Sequence, residues 1–474
     1  MTTNTRIPAW MWAADALMLL LVVTAAAITV FSGQLWTIGP FTISLRSPMR
    51  LVEIALVVAA ITWVAQRSVP PWRRWERQVE AFGQRFPVVA AVMPIVVGTR
   101  LVVLIVGLMA VKLIGVPHST TGRPWETIWP DDLVNLPWRW DTGWFTGIAI
   151  DGYTWDPVTT HEQSIVFFPG FPLLMRLGAT LIGQSQSPVA VVWSGVIVSW
   201  ITFLLACVYL YKLAREEFGD EPALGAVLLL AAYPFAVFFS TAYSESLFLF
   251  VVIAAFYHFR RRELWQAALF GLATGLSRMN GCMLSVVLAA VIVLREWSPG
   301  VPRAQSSPIA GPWRVADLVS PAALRAWIVA AMPGIGMLIY CAFIWSLTGD
   351  PFAWLKRQAA WQRDIHLFDP RLALQFTQPR YWLDAAALVF AIATLWPLTR
   401  RLGYATALFV ALTTLLPFLN GGLLSIGRFT SIVFPLFLWL AITVPPTRRA
   451  LVATIFGMLQ ALIACAFFTN RPLY

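Results

Sequence analysis

Residues 11–30 read MWAADALMLLLVVTAAAITV, and residues 51–64 read LVEIALVVAAITWV. Each comes close to the roughly 20 apolar residues that carry an α-helix across the hydrocarbon core of a bilayer. Similar runs recur to the end of the chain. Hydrophobic residues make up 59% of the 474 and charged residues 12%, with a mean hydropathy of +0.71. A soluble domain carries roughly a quarter charged residues. The expected fold is an all-α polytopic membrane protein. A transmembrane β-barrel would show short alternating segments instead, and the chain does not.

Working outward from these two runs, about 13 transmembrane helices are expected: 10–30, 49–65, 88–114, 187–213, 222–240, 243–259, 264–278, 281–295, 325–347, 380–397, 402–420, 428–444 and 450–468. The first run lacks a small-residue cleavage site and reads as an anchor rather than a removed signal peptide. The four cysteines (Cys207, Cys282, Cys341, Cys465) lie singly inside apolar runs, where they read as small packing residues without a disulfide framework.

The net charge of +11 could suggest a nucleic-acid partner, but its distribution excludes one. Arginines gather in short loops between apolar runs: Arg67, Arg73, Arg74, Arg77 and Arg85; Arg260, Arg261 and Arg262; Arg400 and Arg401; Arg448 and Arg449. Such loops stay on the cytoplasmic side and orient the helices. Only Lys112, Lys212 and Lys356 are lysines; the arginine bias points to a high-GC bacterial genome and thus a bacterial cytoplasmic membrane.

The basic loop 66–87 is then cytoplasmic, and the loop 115–186 external, together with those near 241 and 279, 348–379 and 421–427. Ile165–Gly183 would break this parity if it crossed. With two prolines and Arg176 it is expected to be re-entrant or interfacial, as irregular backbone can be where protein covers it. Residues 296–324 read as a Pro/Ser-rich cytoplasmic linker. Residues 1–65 form two helices added in front of one membrane domain, 88–474.

On the external side the topology gathers residues capable of chemistry. Trp138-Arg139-Trp140-Asp141-Thr142-Gly143-Trp144-Phe145 sets a carboxylate among four aromatic rings, a costly place for a charge. Glu162 precedes Phe167-Phe168-Pro169-Gly170-Phe171-Pro172. Tyr243-Ser244-Glu245-Ser246, Arg278-Met279-Asn280-Gly281 and Gly427-Arg428-Phe429 lie at helix turns. Carboxylates and arginines at one membrane face suit an anionic lipid-linked substrate: a base to activate a hydroxyl, a guanidinium fork to hold a phosphate. Plainer readings stand beside these. Asp141 suits a helix N-cap, as do Ser244 and Glu245, and Glu162 a solvated loop. Arg278 and Arg428 could reach for headgroups. His161 has no second histidine nearby for a metal site, and no metal or other cofactor is expected.

Arg139-Trp140-Asp141 with Phe145, Ile148-Ala149 and Gly152-Tyr153, then Glu162 and the Phe-Phe-Pro-Gly-Phe-Pro element, closely resembles the PIG-V family, the GPI mannosyltransferase 2-like proteins of the GT-C membrane glycosyltransferase superfamily. The resemblance continues through Ala242-Tyr243-Ser244-Glu245-Ser246-Leu247-Phe248 and Arg278/Asn280-Gly281, and more faintly through Gly349-Asp350-Pro351-Phe352 and Gly427-Arg428-Phe429, covering about 88–444 in order. His161, Gln163 and Ser164 match the pattern loosely.

That resemblance implies a GT-C-type helical bundle. It implies transfer of a sugar, usually mannose, from a polyprenyl-phosphate carrier to a glycolipid or other hydroxyl acceptor on the non-cytoplasmic face. It also implies that Asp141 is the catalytic residue. The expected mechanism is an inverting single displacement with Asp141 as base, assisted by Glu162, and Arg428 and Arg278 binding the donor phosphate. Trp140, Tyr153, Tyr243, Glu245 and Asn280 are expected to bind substrate. The rivals are a lipid-linked sugar flippase or other transporter, a GT-C enzyme of another sugar class, and a non-catalytic scaffold subunit. The inverted repeats of many transporters are not apparent in the chain.

Overall fold

The computed structural model describes residues 9–31, 36–38, 41–43, 48–65, 71–117, 128–294, 320–361, 363 and 374–471. Most of the linker 296–324 and residues 364–373 of the loop 348–379 lie outside them.

Among the described residues the chain is a bundle of α-helices with one small hairpin, Trp36–Ile38 paired antiparallel to Phe41–Ile43, between the helices Ala9–Phe31 and Pro48–Ala65. Among the described residues six helices are long and apolar enough to cross a membrane: Pro87–Ile114, Pro188–Phe218, Pro321–Thr348, Pro379–Arg401, Tyr404–Gly421 and Pro446–Phe468. A seventh exists if Asp220–Ala232 and Pro234–Ser240, bent by 81° at Tyr233, count as one span. Among the described residues the count of thirteen spans is therefore not confirmed. Glu245–Arg260 has 16 residues and Leu264–Ser277 has 14; at about 1.5 Å per residue they reach about 24 and 21 Å, short of a ~30 Å core. The expected helix 428–444 breaks into Ile426–Ser431 and Phe434–Thr443, where Pro435 starts the second piece.

Two other segments gain detail. The basic stretch 66–87 contains a helix, Pro71–Arg85, separated from Pro87–Ile114 by Phe86 alone. In 165–183 the helix Gly170–Leu181 has 12 residues, about 18 Å, too short to cross.

Glu245–Arg260 is buried almost all round and packs against Pro188–Phe218 and Leu264–Ser277. Leu264–Ser277 lies hard against Pro321–Thr348. A Cβ on Gly275 would fall 1.9 Å from the Pro333 carbonyl oxygen, and one on Gly336 would fall 2.3 Å from that of Leu272. Small residues let two such backbones touch. This contact fixes the C-terminal end of the first helix, where Arg278 begins.

The two ends of the bundle differ. At one end Arg261 pairs with Glu216 at 2.6 Å, Arg260 with Glu217 and Arg449 with Glu221, and the Tyr211 hydroxyl donates to Asp220 at 2.8 Å. At the other end the chain segments around 141, 162, 244, 278, 361 and 428 converge.

Candidate active site

The loop before Asp141 is held by its neighbours' backbones. Arg139 is buried, and its guanidinium donates to the carbonyls of Phe468 at 2.6 Å, Trp138 at 2.7 Å and Asn135 at 2.9 Å. Burial pushes its pKa down to about 10. Trp140 adopts φ +52°, rare for a bulky side chain, and its indole N–H donates to the Phe467 carbonyl at 3.2 Å. The turn delivers Asp141 to the start of the helix Thr142–Asp151.

Asp141 does not cap that helix with its side chain. Its backbone N–H donates to the Tyr243 hydroxyl at 3.0 Å, and its Oδ2 accepts from Arg428 Nη1 at 2.5 Å. Ser244 likewise makes no side-chain cap; its hydroxyl accepts from Arg278 at 3.2 Å.

Glu245, the first residue of Glu245–Arg260, is 0% exposed. Its Oε1 accepts from both Arg428 Nε and Arg278 Nη1, while Oε2 has no hydrogen-bond partner. Two guanidinium groups thus share one buried oxygen, in the order Asp141, Arg428, Glu245, Arg278. A buried charge is tolerated only when paired, and here two carboxylates balance two arginines. The Arg428 guanidinium also lies 4.6 Å from the Tyr243 ring centroid and 5.2 Å from that of Phe238, and Arg278 lies 5.5 Å from that of Phe429. Both arginines turn inward instead of reaching for headgroups.

The turn carrying Arg428 has its own support. Ser425 sits at φ +64°, and the Gly427 N–H donates to Asp384 Oδ1 at 2.7 Å. A Cβ on Gly427 would fall 2.0 Å from the Phe235 ring, so glycine is needed there.

These groups border a cavity of about 400 Å³, within the usual range for small-ligand sites. Trp140, Asp141, Glu162, Arg278 and Arg428 line it, as five of the nine residues singled out from the sequence. The other four are not in its wall. Tyr243 and Glu245, both 0% exposed, lie beneath and hold the charged groups. Tyr153 donates its hydroxyl to the Phe167 carbonyl at 2.7 Å and packs on Tyr340 behind the wall; burial raises its pKa. Asn280 is buried with both side-chain amide atoms lacking partners.

The wall also holds Trp144, Phe167 and Phe429, which stand in the quoted motifs without a role of their own, and Trp361 and Arg363, which sequence reasoning missed. The Arg363 guanidinium lies 5.3 Å from the Phe429 ring centroid, on the ring that Arg278 also approaches. It missed Asp384 too, although a lone acid in an apolar helix is a visible signal. Asp350 belongs elsewhere: it pairs with Lys356 at 2.5 Å, which lowers its pKa. Among the described residues no three His, Cys, Asp or Glu side chains stand together as a metal site requires.

Comparison with known proteins gives a partial match. Residues 121–297 match the family model Mannosyltransferase (PIG-V). GPI alpha-1,6-mannosyltransferase 2 of Cricetulus griseus is 34% identical over 149 residues, 30% of this chain and 29% of that protein. The Mus musculus protein of the same name is 32% identical over 176 residues, 34% of each. The chain thus spans about a third of the length of the curated relatives it matches. Among solved structures, ArnT from Cupriavidus metallidurans bound to undecaprenyl phosphate aligns over 80% of this chain and 76% of that one, at TM-score 0.44 and 14% identity. The apo oligosaccharyltransferase of Archaeoglobus fulgidus aligns over 79% and 56%, at TM-score 0.38 and 14% identity. The family match holds Asp141, Glu162, Glu245 and Arg278 and ends before Arg428. Over residues 121–297 the chain carries the sequence pattern of the mannosyltransferase (PIG-V) family, and the resemblance that begins at Arg139-Trp140-Asp141 is borne out there.

Proposed function

We propose that the protein is a membrane glycosyltransferase of the GT-C type. It moves a sugar, mannose first, from a polyprenyl-phosphate-linked donor to a hydroxyl of a glycolipid or other acceptor on the non-cytoplasmic face. The observation that carries this reading is the cavity wall itself, where Asp141 and Arg428 meet at 2.5 Å beside Arg278 and Glu162. One wall thereby offers a base for a hydroxyl and a cationic seat for a phosphate. The matches to proteins named GPI mannosyltransferases support the choice of sugar.

In this mechanism the acceptor hydroxyl approaches Asp141 within about 3 Å and attacks the anomeric carbon, inverting it. The new bond forms between the acceptor oxygen and that carbon as the bond to the phosphate oxygen breaks. The hydroxyl proton passes to Asp141, and the electron pair leaves with the polyprenyl phosphate, which gains a second negative charge. Negative charge therefore moves from Asp141 to the leaving phosphate. Arg428, bonded to Asp141 at rest, exchanges the neutralised carboxyl for the phosphate. Phosphate is a good leaving group, so no acid is required on its side. Glu245 keeps the two arginines side by side, and Glu162 orients the acceptor. The aromatic wall of Trp140, Trp144, Phe167 and Trp361 gives sugar and lipid an apolar surface.

The test uses purified protein in proteoliposomes, with polyprenyl-phosphate-[³H]mannose and a membrane lipid extract. The reading expects a new labelled lipid and the release of polyprenyl phosphate. Label that crosses the bilayer with its carrier bond intact would instead support a flippase.

A further inference from the structure

The helix Pro71–Arg85 is not used by the reaction and lies outside the segment that matches the family. Its sequence places Trp72, Trp75, Val79, Phe82 and Phe86 at spacings of three and four, which is one stripe along a helix. Arg73, Arg74, Arg77 and Arg85 fall on the opposite face, with Glu76 and Glu80 between the two. No neighbouring element covers the stripe where its side chains are described: Val79 is 69% exposed, Phe82 38% and Phe86 43%. The Phe82 and Phe86 rings pack against each other tilted by 48°, centroids 5.3 Å apart, and the Arg85 guanidinium lies 5.4 Å from the Phe86 centroid.

Position supplies the missing partner. Phe86 is the lone break before the candidate span Pro87–Ile114, and Pro48–Ala65, another apolar helix, precedes the segment. Gln78 reaches Asp15, near the start of the first helix, at 3.5 Å. A helix tied to the ends of apolar helices sits at the edge of the bilayer, and its aromatic face then meets lipid, not water. Helices with tryptophan and phenylalanine on one face and arginine on the other lie in the interfacial plane, drawn to anionic headgroups.

We propose that Pro71–Arg85 is a surface-binding helix that docks on the leaflet through its aromatic stripe and recruits anionic phospholipid headgroups through Arg73, Arg74 and Arg77. The occupant is the lipid surface. It shares none of its residues with the transfer site, so its failure leaves the proposed activity untouched.

The experiment uses the full-length chain in nanodiscs, with the four native cysteines replaced and a spin label at Val79→Cys or, on the polar face, Gln84→Cys. The label at 79 should collide with oxygen several-fold more than with a water-soluble nickel chelate, and the label at 84 should show the reverse. Native mass spectrometry of the Arg73→Gln/Arg74→Gln/Arg77→Gln variant should show at least a threefold loss of co-purified anionic phospholipid, with zwitterionic lipid unchanged. Equal collision profiles at 79 and 84 would overturn the docking. Dipolar broadening at 79 would assign the stripe to a second copy of the chain, and unchanged lipid retention would overturn the headgroup preference.

Discussion

At the residue scale the site rests on a chain of four charges in which Glu245 joins Arg428 to Arg278. Removing its charge leaves two adjacent guanidiniums without their shared counterion. Glu245→Gln should therefore loosen donor binding more than chemistry. The donor KM should rise at least about tenfold, equivalent to ~1.4 kcal/mol, with kcat changed less. Arg428→Lys keeps the charge and loses the fork, so kcat and kcat/KM should fall together. Steady-state kinetics on monodisperse protein separates the two, and a pure kcat loss in Glu245→Gln would remove its clamp role. The charged members were legible in the sequence, because carboxylates and arginines at turns between apolar runs are conspicuous. Their division of labour was not. Tyr243 and Glu245 read as substrate contacts, yet both are fully buried, and nothing in a linear sequence separates a cavity wall from the layer behind it. Arg363 and Trp361 gave no signal, since they come from a distant loop that only the fold brings in.

Among the elements, broken helices shape the cavity and its surroundings. Chain continuity made 222–240 and 428–444 read as single spans, whereas Tyr233-Pro234 and Val433 to Pro435 interrupt them. The first break leaves the carbonyls of Ala231 and Ala236 to Arg100, fully buried, which donates to Ala231 at 2.6 Å and to Ala236, and also to the Ser240 hydroxyl at 3.1 Å. An arginine in the middle of an apolar helix is thus explained by a break more than a hundred residues later, a link that sequence spacing cannot carry. The second break aims Arg428 at the cavity, with Gly427 against Phe235. Gly427→Ala should force the ring or the turn to shift, costing about 1–3 kcal/mol and lowering the detergent melting temperature. An unaltered melt and activity would show that the turn yields freely.

At the scale of the whole molecule the bundle has two chemically distinct ends, one carrying the Glu216–Arg261 and Glu221–Arg449 pairs and the other the cavity. Hydropathy and arginine placement made this polarity legible, because both depend on local composition. Among the described residues the span count is less legible than the polarity, because short apolar helices buried in the bundle resemble spanning ones in hydropathy. The polarity predicts sidedness. On a cysteine-free background an impermeant maleimide should label Val158→Cys, 87% exposed, in intact cells, and Arg448→Cys only after permeabilisation. The opposite pattern would invert the orientation and move the cavity to the cytoplasmic face.

If Asp141 takes the acceptor proton during sugar transfer, single-turnover transfer by Asp141→Asn in proteoliposomes will report the loss of that base. The variant keeps the side-chain shape and position beside Arg428 and loses the base. Donor binding should persist while the rate of labelled product formation falls by about 10²–10⁴-fold. Transfer at a near wild-type rate by correctly inserted Asp141→Asn protein would contradict the account.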